Sequence, residues 1–259
     1  GIDGRKVILT FGLLAPDKGI DTMIGAMPAI VARHPDALYI VLGATHPCLR
    51  RREGEALRER LQAQAASLGV ADNVRFIDHY VELPELLDRL QAADLYVTPY
   101  NNPAQVTSGT LSYAVGMGKP VISTPYVHAR ELLAEEMGVL TAFGDSAAMA
   151  QAVIALLDDE HLRNRHAARA YDHGRDMVWE QCAHRFADIL GSARAAPTAT
   201  PRRPVPRTGT LVPDMTAVIR MSDNTGILQH GRFSIPDRRH GYCLDDNARA
   251  LMLVARIET

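Results

Sequence analysis

Residues 105–121 read QVTSGTLSYAVGMGKPV, which is typical of a loop, a short helix and a buried strand in direct succession. Small hydroxyl residues and Gly109 stand where this helix begins. Several backbone N–H groups and the positive end of the helix dipole are therefore free to meet a ligand. Such a helix start suits an anion, and above all a phosphate. We expect an anion site at Ser108, Gly109 and Thr110, with Tyr113 able to face the bound group from another side of the helix.

Apolar strand-like runs and helical patterns alternate around this stretch through the first 190 residues. The patterns predict strands at 7–11, 38–42, 74–77, 95–98, 121–123 and 138–140, and helices at 20–32, 53–68, 83–90, 108–116, 129–135, 147–157, 161–171 and 178–190. This order indicates an α/β fold, a Rossmann-like parallel sheet with helices on both faces. Ligands of such sheets bind at the carboxyl ends of the strands. The loops after the first, fourth and fifth strands should therefore converge.

The first of these loops contains a candidate cation. Gly12 and Leu13 follow the first strand, and Lys18 stands just before the first helix. A solvated lysine would be unremarkable there by itself. Together with the helix start at Ser108, however, Lys18 predicts a diphosphate site. Neither Gly-x-Gly-x-x-Gly nor Gly-x-x-x-x-Gly-Lys-Ser/Thr follows a strand, which argues against dinucleotide oxidoreductases and P-loop NTPases.

Composition excludes several classes of partner. Apolar residues make up 47% of the chain, charged residues 22%, and the formal net charge is −2, so no general attraction to nucleic acid or anionic membrane is expected. The three cysteines show no paired spacing, which predicts neither disulfides nor a zinc site and favours a reducing cytoplasm. His46, His79 and His128 lack ligand-type spacing, so no metal site is expected. We predict no membrane span and no signal peptide.

The character of the chain changes after residue 190. Residues 191–210 contain four prolines and no acidic residue, which is typical of an extended linker. We therefore predict three parts: a domain at 1–190, a linker at 191–210 and a short helical segment at 211–259. About 50 residues with one good helix cannot bury a core alone, so this segment is expected to begin a larger helical domain. Asp245 and Asp246 stand at the start of its helix, either as caps or as an acid/base pair.

Three motifs carry a resemblance to a known family. They are FGLLAPDKG at 11–19, ADLYVTPY at 93–100, and 105–121 followed by STP at 123–125. They resemble the C-terminal, donor-binding half of family 4 retaining glycosyltransferases, which have the GT-B fold. The resemblance covers about residues 1–190. Residues 221–230 and 240–249 resemble, more weakly, the opening of an all-helical glycosidase-like domain.

The resemblance implies that the chain holds the half of the enzyme that binds the nucleotide-diphosphate sugar. The acceptor, a saccharide or glycan, would bind a missing N-terminal domain, so this piece is expected to be inactive alone. The enzyme would be a hexosyltransferase, cytoplasmic, without a metal or cofactor. The implied substrate-binding residues are Gly12, Leu13, Ser108, Gly109, Thr110 and Tyr113. The implied catalytic residues are Lys18 and Gln105.

Three positions depart from the pattern of the family. An arginine usually stands where this chain has Leu13, and two glutamates usually stand where it has Gln105 and Tyr113. Gln105 can bond sugar hydroxyls without supplying a negative charge, or it can cap its own loop. Tyr113 can reach the ribose or be a half-buried aromatic with a local partner. The base is expected against the loop at 78–81.

Two other functions are compatible with these residues. The missing arginine and glutamates allow a non-catalytic module that binds a nucleotide sugar. A GT-B nucleotide-sugar 2-epimerase is less favoured, because it needs carboxylates or histidines around the donor where this chain offers Gln105 and Tyr113.

Overall fold

The computed structural model describes residues 2–134, 136–195, 215–232 and 235–257. The chain divides into two compact units, Gly1–Ala196 and Pro197–Thr259. The first unit carries the motifs at 11–19, 93–100 and 105–121, and the second carries the acidic helix start.

The first unit is built on one six-stranded sheet, and all of its strand pairs are parallel. The strand order is β3-β2-β1-β4-β5-β6. The strands are β1 Lys6–Phe11, β2 Ala37–Leu42, β3 Val74–Ile77, β4 Leu95–Thr98, β5 Val121–Ser123 and β6 Val139–Leu140. The chain order reverses between β1 and β4, which lie side by side. The prediction of a Rossmann-like parallel sheet is confirmed.

Helices cover both faces of this sheet. In chain order they are α1 Ile20–Arg33, α2 Pro47–Glu53, α3 Ala56–Ser67, α4 Leu83–Ala92, α5 Gly109–Gly116, α6 Val127–Leu132, α7 Ser146–Asp158, α8 Glu160–Arg175 and α9 Trp179–Ala195. One core cluster joins α1, α3 and α7 to the sheet, and the other joins α4, α5, α6 and α8. Every residue of β2 is buried, as expected of a strand covered on both faces.

Glycines bring three loops together above β1 and β2. The φ angle of Gly43 is +140°, and a Cβ there would lie 2.1 Å from the carbonyl oxygen of Gly12. The φ angle of Gly19 is +61°, and a Cβ there would lie 1.8 Å from the carbonyl oxygen of Pro99. Only glycine permits both approaches. The loop after β1 is therefore held against the loops that follow β2 and β4.

Two predicted elements differ from the structure. The helix predicted at 53–68 is present as α3, which begins three residues later, at Ala56, and the separate helix α2 at Pro47–Glu53 was not predicted; Gly54, with a φ angle of +62°, lies between the two. Between them the Glu55 carboxylate accepts hydrogen bonds from Thr45 and Arg58, which a continuous helix would not place there. Helix α9 runs to Ala195, so the first five residues of the predicted linker are helical. The rest of that linker, 196–210, lies outside the described residues.

The second unit contains more than the one helix that the sequence predicted. Its described elements are α10 Thr216–Met221, an antiparallel pair of strands β7 Gly231–Arg232 and β8 Ile235–Pro236, and α11 Leu244–Ile257. Helix α11 begins one residue before Asp245, whose carboxylate pairs with Arg249 at 2.7 Å. Asp223 accepts hydrogen bonds from the Tyr242 hydroxyl at 2.8 and 2.9 Å.

Candidate functional site

A cavity of about 580 Å³ lies at the carboxyl ends of β1, β2 and β4. Its walls come from the loop after β1, the segment from the β2 loop into α2, the residues after β4 and the first turn of α5. The lining residues are Gly12, Leu13, Ala15, Pro16, Asp17, Lys18, His46, Cys48, Leu49, Arg52, Tyr100 and Thr110. The cavity therefore lies at the switch in strand order, where doubly wound sheets bind ligands.

Lys18 lies against an aromatic ring at the edge of this cavity. Its Nζ is 4.0 Å from the centroid of the Tyr100 ring and 3.6 Å from the Asp17 carboxylate. Its side chain is 23% exposed, so the ammonium group keeps access to the cavity. The backbone N–H of Asn101 donates to the carbonyl of Asp17 at 2.8 Å. The first and fourth loops are thus joined as well as adjacent.

A chain of hydroxyl groups connects Tyr100 to the start of α5. The Tyr100 hydroxyl lies 2.9 Å from Thr110 Oγ1, which lies 3.1 Å from Ser108 Oγ. Ser108 Oγ accepts a hydrogen bond from the N–H of Leu111 at 3.3 Å and so caps the helix. Burial raises the pKa of Tyr100, which keeps its hydroxyl protonated. The ring of Tyr126 stacks on that of Tyr100, with 5.4 Å between centroids.

His128, on α6, holds the loop that leads into α5. The backbone N–H of Ser108 donates to His128 Nδ1 at 2.9 Å, and the backbone N–H of His128 donates to the carbonyl of Gln105 at 3.2 Å. Burial lowers the pKa of His128, while the Glu131 charge opposes the shift. The neutral imidazole therefore accepts a hydrogen bond that an imidazolium could not.

The wall formed by the β2 loop is fixed by a buried arginine. Arg58, whose side chain is 7% exposed, donates to Asp78 at 2.5 Å and to the carbonyl of Gly43 at 3.1 Å. The Glu55 carboxylate accepts from Thr45 at 2.5 Å, and this hydrogen bond lowers the pKa of Glu55. The N–H of His46 donates to the carbonyl of Leu14 at 2.9 Å. Those contacts hold the loop from Gly43 to α3 against the first loop.

A smaller cavity of about 230 Å³ shares one wall with the larger one. Its lining is mainly apolar and includes the loop after β3. The residues are Phe11, Gly12, Leu13, Leu42, Gly43, Ala44, His79, Tyr80, Val81, Leu86 and Thr110. The loop predicted to meet the base therefore does line a cavity, next to Lys18 and Thr110.

The structure brings some predicted site residues together and leaves others apart. Gly12, Leu13, Lys18 and Thr110 line the larger cavity, and Gly109 is the first residue of α5, with open space where its side chain would be. Buried Ser108 contributes through its cap. Gln105 and Tyr113 line neither of these two cavities. The roles predicted for all of these residues stay predictions.

The side chain of Gln105 has a partner within its own loop. Its Nε2 donates to the carbonyl of Thr107 at 3.0 Å, which is the capping contact weighed against sugar binding. Tyr113 is 43% exposed, which fits a half-buried aromatic and a side chain that reaches a ligand equally well, so both interpretations stay predictions.

Sequence reasoning missed three residues of this site. Tyr100 ends a motif quoted above, yet its link to Lys18 and Thr110 depends on packing across the sheet. His128 was considered as a metal ligand, a role that its spacing does not support. Arg52 lay beside the predicted helix 53–68, and the one available signal was its position in the segment after β2.

The described residues contain neither a group of metal ligands nor a membrane-spanning helix. Within residues 2–134, 136–195, 215–232 and 235–257, no three side chains of His, Cys, Asp or Glu are grouped as a metal site requires. In the same ranges, no helix combines the length and the apolar character needed to cross a membrane.

Comparison with known proteins gives matches over the first unit. The sequence profile of the family described as "Glycosyl transferases group 1" matches residues 1–173. The chain is 32% identical over 167 residues to the lipopolysaccharide core biosynthesis mannosyltransferase LpsB of Rhizobium meliloti, covering 61% of this chain and 44% of that protein. It is 29% identical over 206 residues to the D-inositol 3-phosphate glycosyltransferase of Thermomonospora curvata, covering 78% and 46%. The chain thus spans less than half the length of these relatives.

Solved structures with the same architecture include HepE of Anabaena in complex with UDP. The TM-score is 0.62 at 22% identity, over 74% of this chain and 50% of that one. The C-terminal domain of the group 1 glycosyl transferase LpcC of Francisella tularensis gives 0.57 at 20% identity, over 65% and 83%. These likenesses bear out the fold expected from the motifs, the C-terminal half of a GT-B architecture.

Proposed function

We propose, from the premise that this chain belongs to the glycosyl transferases group 1 family, that it is the donor-binding half of a retaining hexosyltransferase. The donor would be a nucleotide-diphosphate sugar and the acceptor a saccharide or glycan. One observation carries the proposal: Lys18 and Thr110, from the loops after β1 and β4, line the same cavity at the switch in strand order.

The proposed chemistry follows from where charge develops. When the sugar leaves the donor, negative charge grows on the departing diphosphate. Lys18 would stabilise this charge as a cation, and the free N–H groups at the start of α5 would do so as oriented dipoles. We expect these donors to act without a divalent metal or a cofactor. The base would lie in the smaller cavity, against His79, Tyr80 and Val81.

The names of relatives suggest which donors to test first. LpsB of Rhizobium meliloti is a mannosyltransferase by name, and HepE of Anabaena was solved with UDP and glucose. Both sugars therefore belong in the panel. Because the chain spans less than half of its relatives, we propose that the acceptor binds a further domain, and that the 259-residue chain binds donor without turning it over. A cytoplasmic location is proposed on the same grounds as in the sequence analysis.

Titration calorimetry on the 259-residue chain tests the donor site. We expect binding of one of UDP-glucose, GDP-mannose or an ADP-sugar, and a loss of about tenfold or more in affinity for Lys18→Ala. Arg60→Ala is the matched control, because Arg60 is an exposed cation on α3 outside the larger cavity. The proposal would be contradicted if the chain bound none of the nucleoside diphosphates and none of the corresponding nucleotide sugars. So would an affinity that Lys18→Ala leaves unchanged.

One observation favours a second candidate, a non-catalytic module that binds nucleotide sugars. The Gln105 amide is engaged by the carbonyl of Thr107, and neither Gln105 nor Tyr113 can hold a carboxylate charge near the reacting carbon. Donor binding without transfer by the full-length protein would support this module.

A further inference from the structure

We propose that Arg52 is the second cation of the diphosphate site, on the wall opposite the first loop. The inference rests on the proposed function and assigns to that site a residue from α2. It names the ligand group that Arg52 meets: a phosphate of the nucleoside diphosphate.

Arg52 lies in the wall of the proposed diphosphate cavity. Arg52 is the sixth residue of α2 and lines the same cavity of about 580 Å³ as Lys18 and Thr110. The segment that carries it is anchored on both sides. Before α2, the N–H of His46 bonds the first loop at 2.9 Å, and after α2, Glu55 accepts from Thr45 at 2.5 Å. Arg52 therefore extends from a supported wall of the cavity.

The guanidinium of Arg52 is available to a ligand, unlike those of the arginines around it. The neighbouring arginines already have partners. Arg50 pairs with Glu55 at 3.3 Å, Arg51 donates to Cys48 Sγ at 3.3 Å, and Arg58 pairs with Asp78 at 2.5 Å. Arg52 forms no ion pair with any residue that the structure describes. A guanidinium in a cavity wall with no carboxylate partner is free to bind an anion.

Without Arg52, the charged side chains that line the cavity would not give it a net positive charge. The Asp17 carboxylate lies 3.6 Å from Lys18 Nζ and lines the same cavity, so it offsets the charge of the lysine. Residue 13, beside them, is an uncharged leucine. A diphosphate carries a negative charge on each phosphate, and Arg52 makes the lining net positive. Its planar fork of donors also matches a phosphate in geometry, which an ammonium does not.

Calorimetry of the 259-residue chain with UDP, GDP and ADP, and with the parent nucleosides, tests this assignment. For the diphosphate that the wild-type chain binds, we expect Arg52→Gln to raise Kd about tenfold or more. We also expect a shallower dependence of its Kd on salt. Affinity for the nucleoside should not change. Arg51→Gln is the matched control: it removes the same charge from the same helix, outside the cavity lining, and should change Kd by less than about twofold.

A rescue variant separates a binding role from a structural one. Leu13→Arg places a guanidinium on the opposite wall of the same cavity, so in the Arg52→Gln background it should recover most of the lost affinity for the diphosphate. If Lys18→Ala weakens binding while Arg52→Gln matches wild type, the inference about Arg52 is wrong and the proposed function stands. If the wild-type chain binds no nucleoside diphosphate, the proposed function and the inference both fail.

Discussion

The backbone N–H of Ser108 donates to Nδ1 of His128 at 2.9 Å. The two residues lie twenty positions apart, at the start of α5 and within α6. The backbone N–H of His128 also donates to the carbonyl of Gln105, so His128 holds one end of the loop at 105–108 through its main chain and the other end through its imidazole. The bond at the Ser108 end, where the proposed phosphate-binding turn begins, therefore depends on the His128 imidazole staying neutral.

Acidification should weaken this turn. Burial holds the pKa of His128 in the folded chain below its ordinary value of 6.5. Below pH 6.5 the unfolded chain takes up a proton that the folded chain does not, so stability falls as pH falls toward the lower, folded pKa. Once protonated, His128 cannot accept from Ser108. We expect both the free energy of unfolding and nucleotide affinity to decrease between pH 7 and about pH 5, measured by urea titration and calorimetry.

The control for this prediction is His128→Asn. An asparagine oxygen can accept the Ser108 N–H but does not titrate in this range, so the variant should show a flatter pH dependence than wild type. Other histidines with lowered pKa, such as His34 and His166, are common to both proteins and cancel in the comparison. Identical pH profiles for the two proteins would show that His128 is not the group responsible.

Removing the Tyr100 hydroxyl should loosen the start of α5 without disturbing the core. Tyr100→Phe keeps the ring beneath Lys18 and the stack on Tyr126 but loses the bond to Thr110 Oγ1. A hydrogen bond of this kind contributes about 1 kcal/mol, so we expect nucleotide affinity to fall about fivefold. In a double-mutant cycle with Thr110→Val the two losses should not add, because both variants remove the bond between Tyr100 and Thr110, although Thr110→Val also removes the contact with Ser108 Oγ. Additive losses would mean that the hydroxyl acts elsewhere.

Gly43 should tolerate no side chain. An alanine Cβ there would meet the carbonyl oxygen of Gly12 at 2.1 Å, at a φ angle of +140°. We expect Gly43→Ala to reduce the free energy of unfolding by more than about 3 kcal/mol, measured by urea denaturation. Gly69→Ala is the comparison, because Gly69 also has a positive φ angle, +70°, with no atom within 4 Å of the added carbon. It should lose only about 1–2 kcal/mol. Equal losses would show that the approach of the two loops is not what constrains Gly43.

The sheet could be predicted from the sequence because its strands are local, apolar runs. The prediction of 38–42 for β2 differs from Ala37–Leu42 by one residue. The helix predicted at 53–68 is present as α3, Ala56–Ser67, but its start was misplaced for a reason that is not local. Gly54, with its positive φ angle, separates α2 from α3. The Glu55 carboxylate then accepts hydrogen bonds from Thr45 and the buried Arg58. Helical periodicity does not record such contacts.

At the site too, features that follow from local sequence patterns could be predicted, and those that depend on contacts between elements could not. Lys18 and Thr110 could be placed in one cavity from the sequence because each follows a strand of one parallel sheet. The family resemblance drawn from the motifs is confirmed by the profile match over residues 1–173. Tyr100 and His128 could not be placed in this way. Their roles depend on hydrogen bonds between elements, and residue type alone does not predict those.

Removal of divalent metal should leave nucleotide binding unchanged. In the proposed site, Lys18, Arg52 and the start of α5 neutralise the diphosphate, so no cation other than those of the protein is required. We expect Kd for the bound nucleoside diphosphate in EDTA and in magnesium chloride at matched ionic strength to agree within about twofold. An affinity more than about tenfold higher with magnesium would place a metal ion in the site.

Gln105 has two competing roles. Its amide N–H donates to the carbonyl of Thr107, whereas the family resemblance assigns its side chain to the sugar. A sugar contact would make Gln105→Ala weaken binding of the nucleotide sugar more than binding of the nucleoside diphosphate, because only the former has hydroxyls to bond. A capping role would weaken both alike, through the loop that His128 holds. We expect a differential loss of about threefold to tenfold, measured by calorimetry with the two ligands in parallel. Gln105→Glu keeps the size of the side chain and adds the carboxylate usual in the family, so it separates the effect of charge from that of contact. If Gln105→Ala lowers the affinity for both ligands equally, and Gln105→Glu does not raise the affinity for the nucleotide sugar, Gln105 belongs to the loop alone.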